Sequence, residues 1–357
     1  MINRNNRVKK TIFISGLLIL IASLSPTSAR DKTMNQDPKA AMAFSCVHEV
    51  QPKLSTETQQ LYDYAHYHDL HNLWLPKDGV WEAMAPYYRI AAANGDYKAN
   101  LRLQYLLTTN RLKHRGAAEE AVAWNNRLMQ QLPATAHYKT YEYILKGLLK
   151  TKTDGAYTYL RKAADLGSAD AQYAMSDIIL SPNDDKELQF RLGLAEKLRL
   201  CASQQGHGEA SRFYGIAMQR QEKYSDAVES YLRGARQGDT QSALRLSDAF
   251  RFDIEKNPKG SSTYRIDFLN VKKDSERERR YNIIRSYLSR NDYLYPKVPD
   301  LDQIVPLPPA KLPAWDGKIA FQRWYEGPSP AKPSDALVEK LAHAQGLDPK
   351  TGLALKK

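Results

Sequence analysis

AYTYLRKAADLGSADA, residues 156–171, sets Tyr159, Leu160 and Ala163 before a glycine, Gly167, and is followed by Tyr173, Ala174 and Ile178. These apolar positions recur at offsets of three and four, the period of a helix and not of a strand. A glycine after a helix adopts the left-handed conformation at little cost and reverses the chain. The stretch therefore predicts a helix, a tight turn and a second helix. Three further stretches repeat it: MAPYYRIAAANGDYKA at 84–99, AEKLRLCASQQGHGEA at 195–210 and AVESYLRGARQGDTQS at 227–242. Gly95, Gly206 and Gly238 take the place of Gly167. Small residues stand three and four places before each glycine (Ala91 and Ala92, Ala163 and Ala164, Ala202 and Ser203, Gly234 and Ala235). Another follows it by four (Ala99, Ala171, Ala210, Ser242).

Small side chains on both sides of a turn let two helices approach closely, and larger apolar residues then fill the space between hairpins. The glycines are 72, 39 and 32 residues apart. The long interval divides into two ordinary units if Leu132-Pro133-Ala134-Thr135-Ala136 is the turn of a degenerate copy. Repetition of this kind predicts an all-α, right-handed αα-hairpin solenoid in which neighbours complete each other's core. The pattern resembles the Sel-like repeat, a branch of the tetratricopeptide superfamily, over roughly residues 80–250. It departs from that pattern at Pro133, where the turn glycine is missing, and at Gly234, which replaces an alanine. The resemblance implies a curved scaffold used for protein–protein contact.

The expected organisation is an export signal at 1–29, an N-terminal extension at 30–56, the solenoid at 57–255, a terminal helical region at 256–295, and a segment at 296–357. A capping helix is expected from residue 57, with Leu73 and Trp74 near its exit, and the chain is expected to be helical again over Asp274 to Tyr293. Beyond Tyr295, six prolines between Pro296 and Pro313 prevent a long helix and favour extended chain. Trp315, Phe321, Trp324 and Tyr325 make this stretch too apolar for a loose tail, so it is expected to lie across the helical body with these rings in its grooves. A short final helix is expected over Ser334 to Gln345.

The first residues carry Arg4, Arg7, Lys9 and Lys10, then the apolar run Ile12 to Ala22, then small residues ending at Ala29. Basic flank, short apolar core and small-residue exit are the parts of a secretory signal; the alternative is a retained single-span anchor. The expected location is periplasmic, exported and soluble. Removal of that segment lowers the formal charge from +12 to +8, an excess that favours encounter with acidic partners. Export and the lack of a compact basic and aromatic recognition module argue against nucleic acid as a partner. The two cysteines, Cys46 and Cys201, either form a disulfide that pins the N-terminal segment to the body or remain two buried thiols.

Catalytic signals are sparse. His66, His68 and His71, with Asp63 and Asp69, form a tempting cluster, but no Cys-rich or His-Glu-x-x-His spacing supports a zinc site. There is no nucleophile elbow and no phosphate-binding glycine loop. A cell-wall-acting enzyme would need a recessed glutamate, and none singles itself out. No enzyme activity, no metal and no cofactor are expected. Tyrosine and arginine abundance suits an interface instead. The candidate partner-binding residues are Tyr62, Tyr67, Trp74, Trp81, Tyr87, Arg102, Arg111, Arg115 and Arg127, with Tyr88 more readily read as core.

The beginning Phe44-Ser45-Cys46-Val47-His48-Glu49 and the ending, from Leu312-Pro313-Ala314-Trp315 to Gly346-Leu347-Asp348-Pro349-Lys350-Thr351-Gly352-Leu353, frame the helical body. Together they resemble bacterial envelope proteins found beside phospholipase effectors of the type VI secretion system. That resemblance implies a periplasmic immunity protein that binds a secreted lipase or phospholipase one-to-one and blocks its active-site entrance or lid. Many such proteins carry a lipid-attachment cysteine, which is absent here. The alternative is a general periplasmic Sel-like adaptor or regulatory scaffold.

Overall fold

The computed structural model describes residues 42–152, 155–182, 185–253, 256 and 267–355. The export signal expected at 1–29 lies outside them, as do Asp184 and most of the stretch between residues 254 and 266. Among the described residues, the secondary structure is helical apart from a single bridge between Leu347 and Ala354. No helix there is long and apolar enough to cross a membrane.

Five hairpins follow one another. They are α2 (Val80–Ala93) with α3 (Tyr97–Thr108), α4 (Ala117–Leu128) with α5 (Pro133–Leu145), α6 (Gly155–Asp165) with α7 (Ala169–Leu180), α8 (Leu188–Gln204) with α9 (Gly208–Arg220), and α10 (Tyr224–Arg236) with α11 (Thr240–Arg251). Helix α1 (Thr56–Leu70) precedes them and α12 (Ser275–Arg290) follows. Each helix packs on the next, and α5 with α7, α8 with α10 and α9 with α11 touch across hairpins. The result is a stack of helical hairpins, each packed on the next, whose buried apolar residues gather in successive clusters along it.

Four turns share one construction. Gly95, Gly167, Gly206 and Gly238 all have positive φ. The next residue's N–H reaches back to the carbonyl five places earlier, as Asp96 to Ala91 at 3.0 Å and Ser168 to Ala163 at 2.9 Å. This bond satisfies a carbonyl that the helix end leaves open. The same residue then caps the following helix: Asp96, Ser168, His207 and Asp239 accept from the N–H of Ala99, Ala171, Ala210 and Ser242. Those four small residues are fully buried, which is why the small side chain recurs four places after the glycine.

The α4–α5 turn has neither glycine nor local cap, because Leu132 occupies the capping position. Its open N–H groups are taken by Glu49, whose carboxylate accepts from Ala134 N at 2.6 Å and Thr135 N at 3.1 Å. Glu49 arrives on the extended N-terminal segment, which runs along the turn edge of the stack. The Cys46–Cys201 disulfide ties that segment to α8, and Tyr97 on α3 donates to Gln51 at 2.7 Å. Between them it passes so close to Gly167 that a β-carbon there would lie 2.6 Å from Glu49 N.

The C-terminal segment returns in the opposite sense. It includes α13 (Leu301–Ile304), α14 (Ala320–Glu326) and α15 (Asp335–Ala344). Arg277 and Arg280 of α12, both buried, donate to carbonyls of Ile304, Pro306, Ala310 and Pro313. The proline-rich chain, unable to bond to itself as a helix, thus satisfies its backbone on arginines. Trp315 and Phe321 pack on the α10–α13 core. The segment then reaches the far end of the stack, where α15 packs on α2 and Lys340 pairs with Glu57 of α1 at 2.7 Å.

Candidate partner-binding surface

Helix α1 sets Leu61, Ala65 and Asp69 on one face at spacings of four, and all three are fully buried. A buried carboxylate is tolerated only when paired and hydrogen-bonded. Asp69 accepts from Arg102 Nε at 2.6 Å and Nη2 at 3.0 Å, from Trp81 Nε1 at 3.1 Å and from Tyr88 OH at 3.0 Å. Arg102 is correspondingly held above its ordinary range by Asp69, against the opposing effect of burial. The Tyr62 hydroxyl is pushed up by burial beside the same group.

The residues expected at the interface fall in different surroundings. Arg102 is spent on Asp69 inside the protein. Tyr62 packs against the core around Tyr88, and Tyr67 donates to the Gly327 carbonyl at 2.9 Å beneath the C-terminal segment. Trp81 and Tyr87 are half-buried, and Arg111 covers the Trp81 ring at 5.4 Å. Arg115 and Arg127 are exposed, Arg127 lying over Trp124. Trp74 stands out at 76% exposure, with Leu75 beside it at 79%.

Trp74 is met by a residue from the other end of the molecule: its ring centroid is 5.8 Å from Tyr293. Tyr293 and Tyr295, the latter 69% exposed, line a cleft of about 800 Å³ together with Arg212, Asp239 and Lys297. Lys297 is exposed by surface area, yet partial desolvation in the cleft and the nearby charge of Lys98 lower its ammonium below the ordinary range, while Asp170 opposes them. Tyr295 has φ +52°, a left-handed conformation that costs a bulky residue energy. It is held there by its N–H on the Asp292 carbonyl at 3.0 Å and by the burial of Pro296, whose carbonyl abuts the Gly238 turn. Exposed Trp74 and Tyr295, with Tyr293 between them in sequence and charged side chains beside it, are the residue types that interfaces favour. Tyr293 and Tyr295 were not among the sequence-derived candidates; the signal for them is an aromatic directly before a proline, at the point where helix gives way to extended chain.

The histidines and acids of α1 do not converge. Asp69 faces the core, His66 stacks on Tyr62 and is lowered to about 4, mainly by burial, and His71 faces the C-terminal segment. Among the described residues, the one group with ligand atoms close enough for a metal is Cys46, His48 and Cys201. Its two sulfurs are bonded to each other, leaving His48 as a single ligand.

Residues 242–355, from α11 through the returning segment, match the family model described as domain of unknown function DUF6396. No curated protein matches significantly. Three solved structures from Pseudomonas aeruginosa are similar. Immunity protein Pa5087 is 21% identical with a TM-score of 0.51, the alignment covering 75% of this chain and 95% of that one. Immunity protein PA5088 is 21% identical with a TM-score of 0.52, covering 74% and 94%. Pseudomonas aeruginosa PA5086 is 21% identical with a TM-score of 0.51, covering 74% and 95%. Nearly the whole length of each is matched, so this chain shares their fold.

Proposed function

We propose that the chain is an immunity protein that binds and neutralises a type VI secretion phospholipase effector in the periplasm. It acts by occupancy: a rigid surface covers the effector's active-site entrance or holds its lid, with no chemistry and no cofactor of its own. The observation that carries this reading is the fold shared, over almost their full length, with the immunity proteins Pa5087 and PA5088. The resemblance of both chain ends to envelope proteins encoded beside phospholipase effectors supplies the partner class. On the same reading the hairpins are Sel-like repeats in a right-handed superhelix, and residues 1–29 direct export.

The contact centres on Trp74, Leu75, Tyr293 and Tyr295, with Trp81, Tyr87, Arg111, Arg115 and Arg127 as further candidates. A pre-formed surface tied at both ends loses little chain entropy on association, and the positive charge of the mature chain speeds encounter with an acidic partner. The test is titration of the mature protein into purified type VI secretion phospholipase effectors from the same organism. Inhibition complete near one equivalent is expected, with no lipase activity from this chain alone. Undiminished phospholipase activity at several equivalents in physiological salt would overturn the proposal.

A further inference from the structure

We propose that Cys46, His48 and Cys201 form a redox-exchangeable zinc site. The disulfide clasps the N-terminal segment when the sulfurs are oxidised, and a bound Zn²⁺ clasps it when they are reduced. The ligands come from two elements. Side chains two places apart on extended chain share a side, so Cys46 and His48 face Cys201 of α8 together. Cys46 Sγ lies 3.3 Å from His48 Nε2, and the ligand atoms of all three residues lie within 4.8 Å of one another. Tetrahedral Zn²⁺, with about 2.3 Å to sulfur and about 2.0 Å to nitrogen, sets sulfur and nitrogen roughly 3.5 Å apart and two sulfurs roughly 3.8 Å apart. The first spacing is nearly present already. The second requires only that the unbonded sulfurs part to van der Waals contact, from α-carbons 5.6 Å apart. Two thiolates with an imidazole suit zinc and not a hard cation such as Mg²⁺ or Ca²⁺. The fourth position falls to solvent or to Gln204, whose Oε1 is 3.9 Å from Cys46 Sγ.

Opening the disulfide leaves the ligands in place, because the chain between and beside them is held without sulfur. The Val47 carbonyl accepts from Gln172 Nε2 at 3.0 Å, and Glu49 N donates to Gln205 Oε1 at 3.2 Å. The Glu49 carboxylate stays on the α5 cap. A site assembled in advance loses little chain entropy on binding. Cys46 is exposed while Cys201 is fully buried, so a reductant attacks at Cys46. A dithiol delivers two electrons and two protons to the S–S bond and leaves as its own disulfide, and both cysteines become thiols. Zn²⁺ then displaces the two thiol protons into solvent and takes the lone pair of His48. An oxidising disulfide reverses the exchange: it accepts the two electrons, the Cys46–Cys201 bond re-forms and Zn²⁺ departs.

The test compares the full mature chain as oxidised protein with the same chain reduced by a dithiol, which is then removed by desalting without oxygen. In equilibrium dialysis the reduced chain should take up a single Zn²⁺ and the oxidised chain none. With Co²⁺ in place of Zn²⁺, the reduced chain should show the thiolate charge-transfer band of a tetrahedral site. His48→Ala, when reduced, should bind Zn²⁺ at least about tenfold more weakly, since even the outer partners of metal ligands are worth that much. Amide exchange over residues 44–52 should quicken on reduction and slow again once Zn²⁺ is added. No uptake by the reduced chain, equal uptake by the oxidised chain, equal affinity in His48→Ala, or exchange that Zn²⁺ leaves unchanged overturns the proposal. Should reduction unfold the chain, recovery of helical circular dichroism on adding Zn²⁺ supports the site, and failure to recover overturns it.

Discussion

Asp69 shows how one side chain can organise the start of the stack. Its carboxylate receives four donors from Trp81, Tyr88 and Arg102, on two other helices. Asp69→Ala would leave a largely buried guanidinium without its counter-charge, a change that costs about 3–5 kcal/mol. Urea unfolding should show that loss, and a change below about 1 kcal/mol would mean that water replaces the carboxylate. His66 gives a second expectation, with a sign. Its folded-state value is depressed to about 4 from 6.5, so its neutral form contributes fully above about 6.5. That stability drains away as pH falls toward 4, and His66→Phe should flatten the slope of stability against pH in this window. Neither role stood out in the run YDYAHYHDLH, where acids and imidazoles resemble a surface cluster. The available signal was that Asp69 continues the Leu61–Ala65 stripe, an acid on an apolar face. Its partners lie 12 to 33 residues further on, and no local pattern points to them.

Hairpin turns were the most legible feature, because their physics is local. A left-handed glycine, a small residue on each side and a capping side chain all lie within one short stretch of sequence. The α4–α5 turn was legible only as a degenerate copy, since its cap comes from Glu49, 85 residues earlier. Glu49→Ala should therefore cost about 0.5–2 kcal/mol, the usual worth of an N-terminal cap, although the residue belongs to no helix. The glycines themselves permit a paired comparison. Gly79 and Gly238 both have positive φ, but a β-carbon at Gly79 meets open space while one at Gly238 would lie 2.1 Å from the Pro296 carbonyl oxygen. Gly79→Ala should cost only the conformational penalty, about 1–2 kcal/mol. Gly238→Ala should cost more and raise amide exchange in residues 293–298. Equal losses in melting temperature would show that the turn and the 291–297 loop move independently.

At the scale of the whole molecule, two extended segments bind an otherwise open stack. The N-terminal segment spans four hairpins, and the Cys46–Cys201 bond closes a sequence separation of 155 residues. Its reduction should cost about 2–5 kcal/mol. Sequence could name the two cysteines but not their proximity, which depends on how the hairpins stack. The returning C-terminal segment brings Tyr293 beside Trp74, with Tyr295 two residues further on, so the proposed contact surface is a product of closure and belongs to no single repeat. That origin explains why Trp74 was a candidate from sequence and the tyrosines were not. It also yields the sharpest test of the surface. Tyr295 sits in a strained backbone conformation with its side chain mostly in solvent, so stability alone gives no reason for a tyrosine there. Tyr295→Gly should stabilise the free protein by about 1 kcal/mol, since glycine adopts this conformation without penalty. If the tyrosine is an anchor for the partner, the same substitution should weaken the complex by about 2 kcal/mol or more, as should Trp74→Ala. A stabler protein that binds less well is the signature of a residue kept for contact; unchanged affinity in both variants would move the interface elsewhere on the stack.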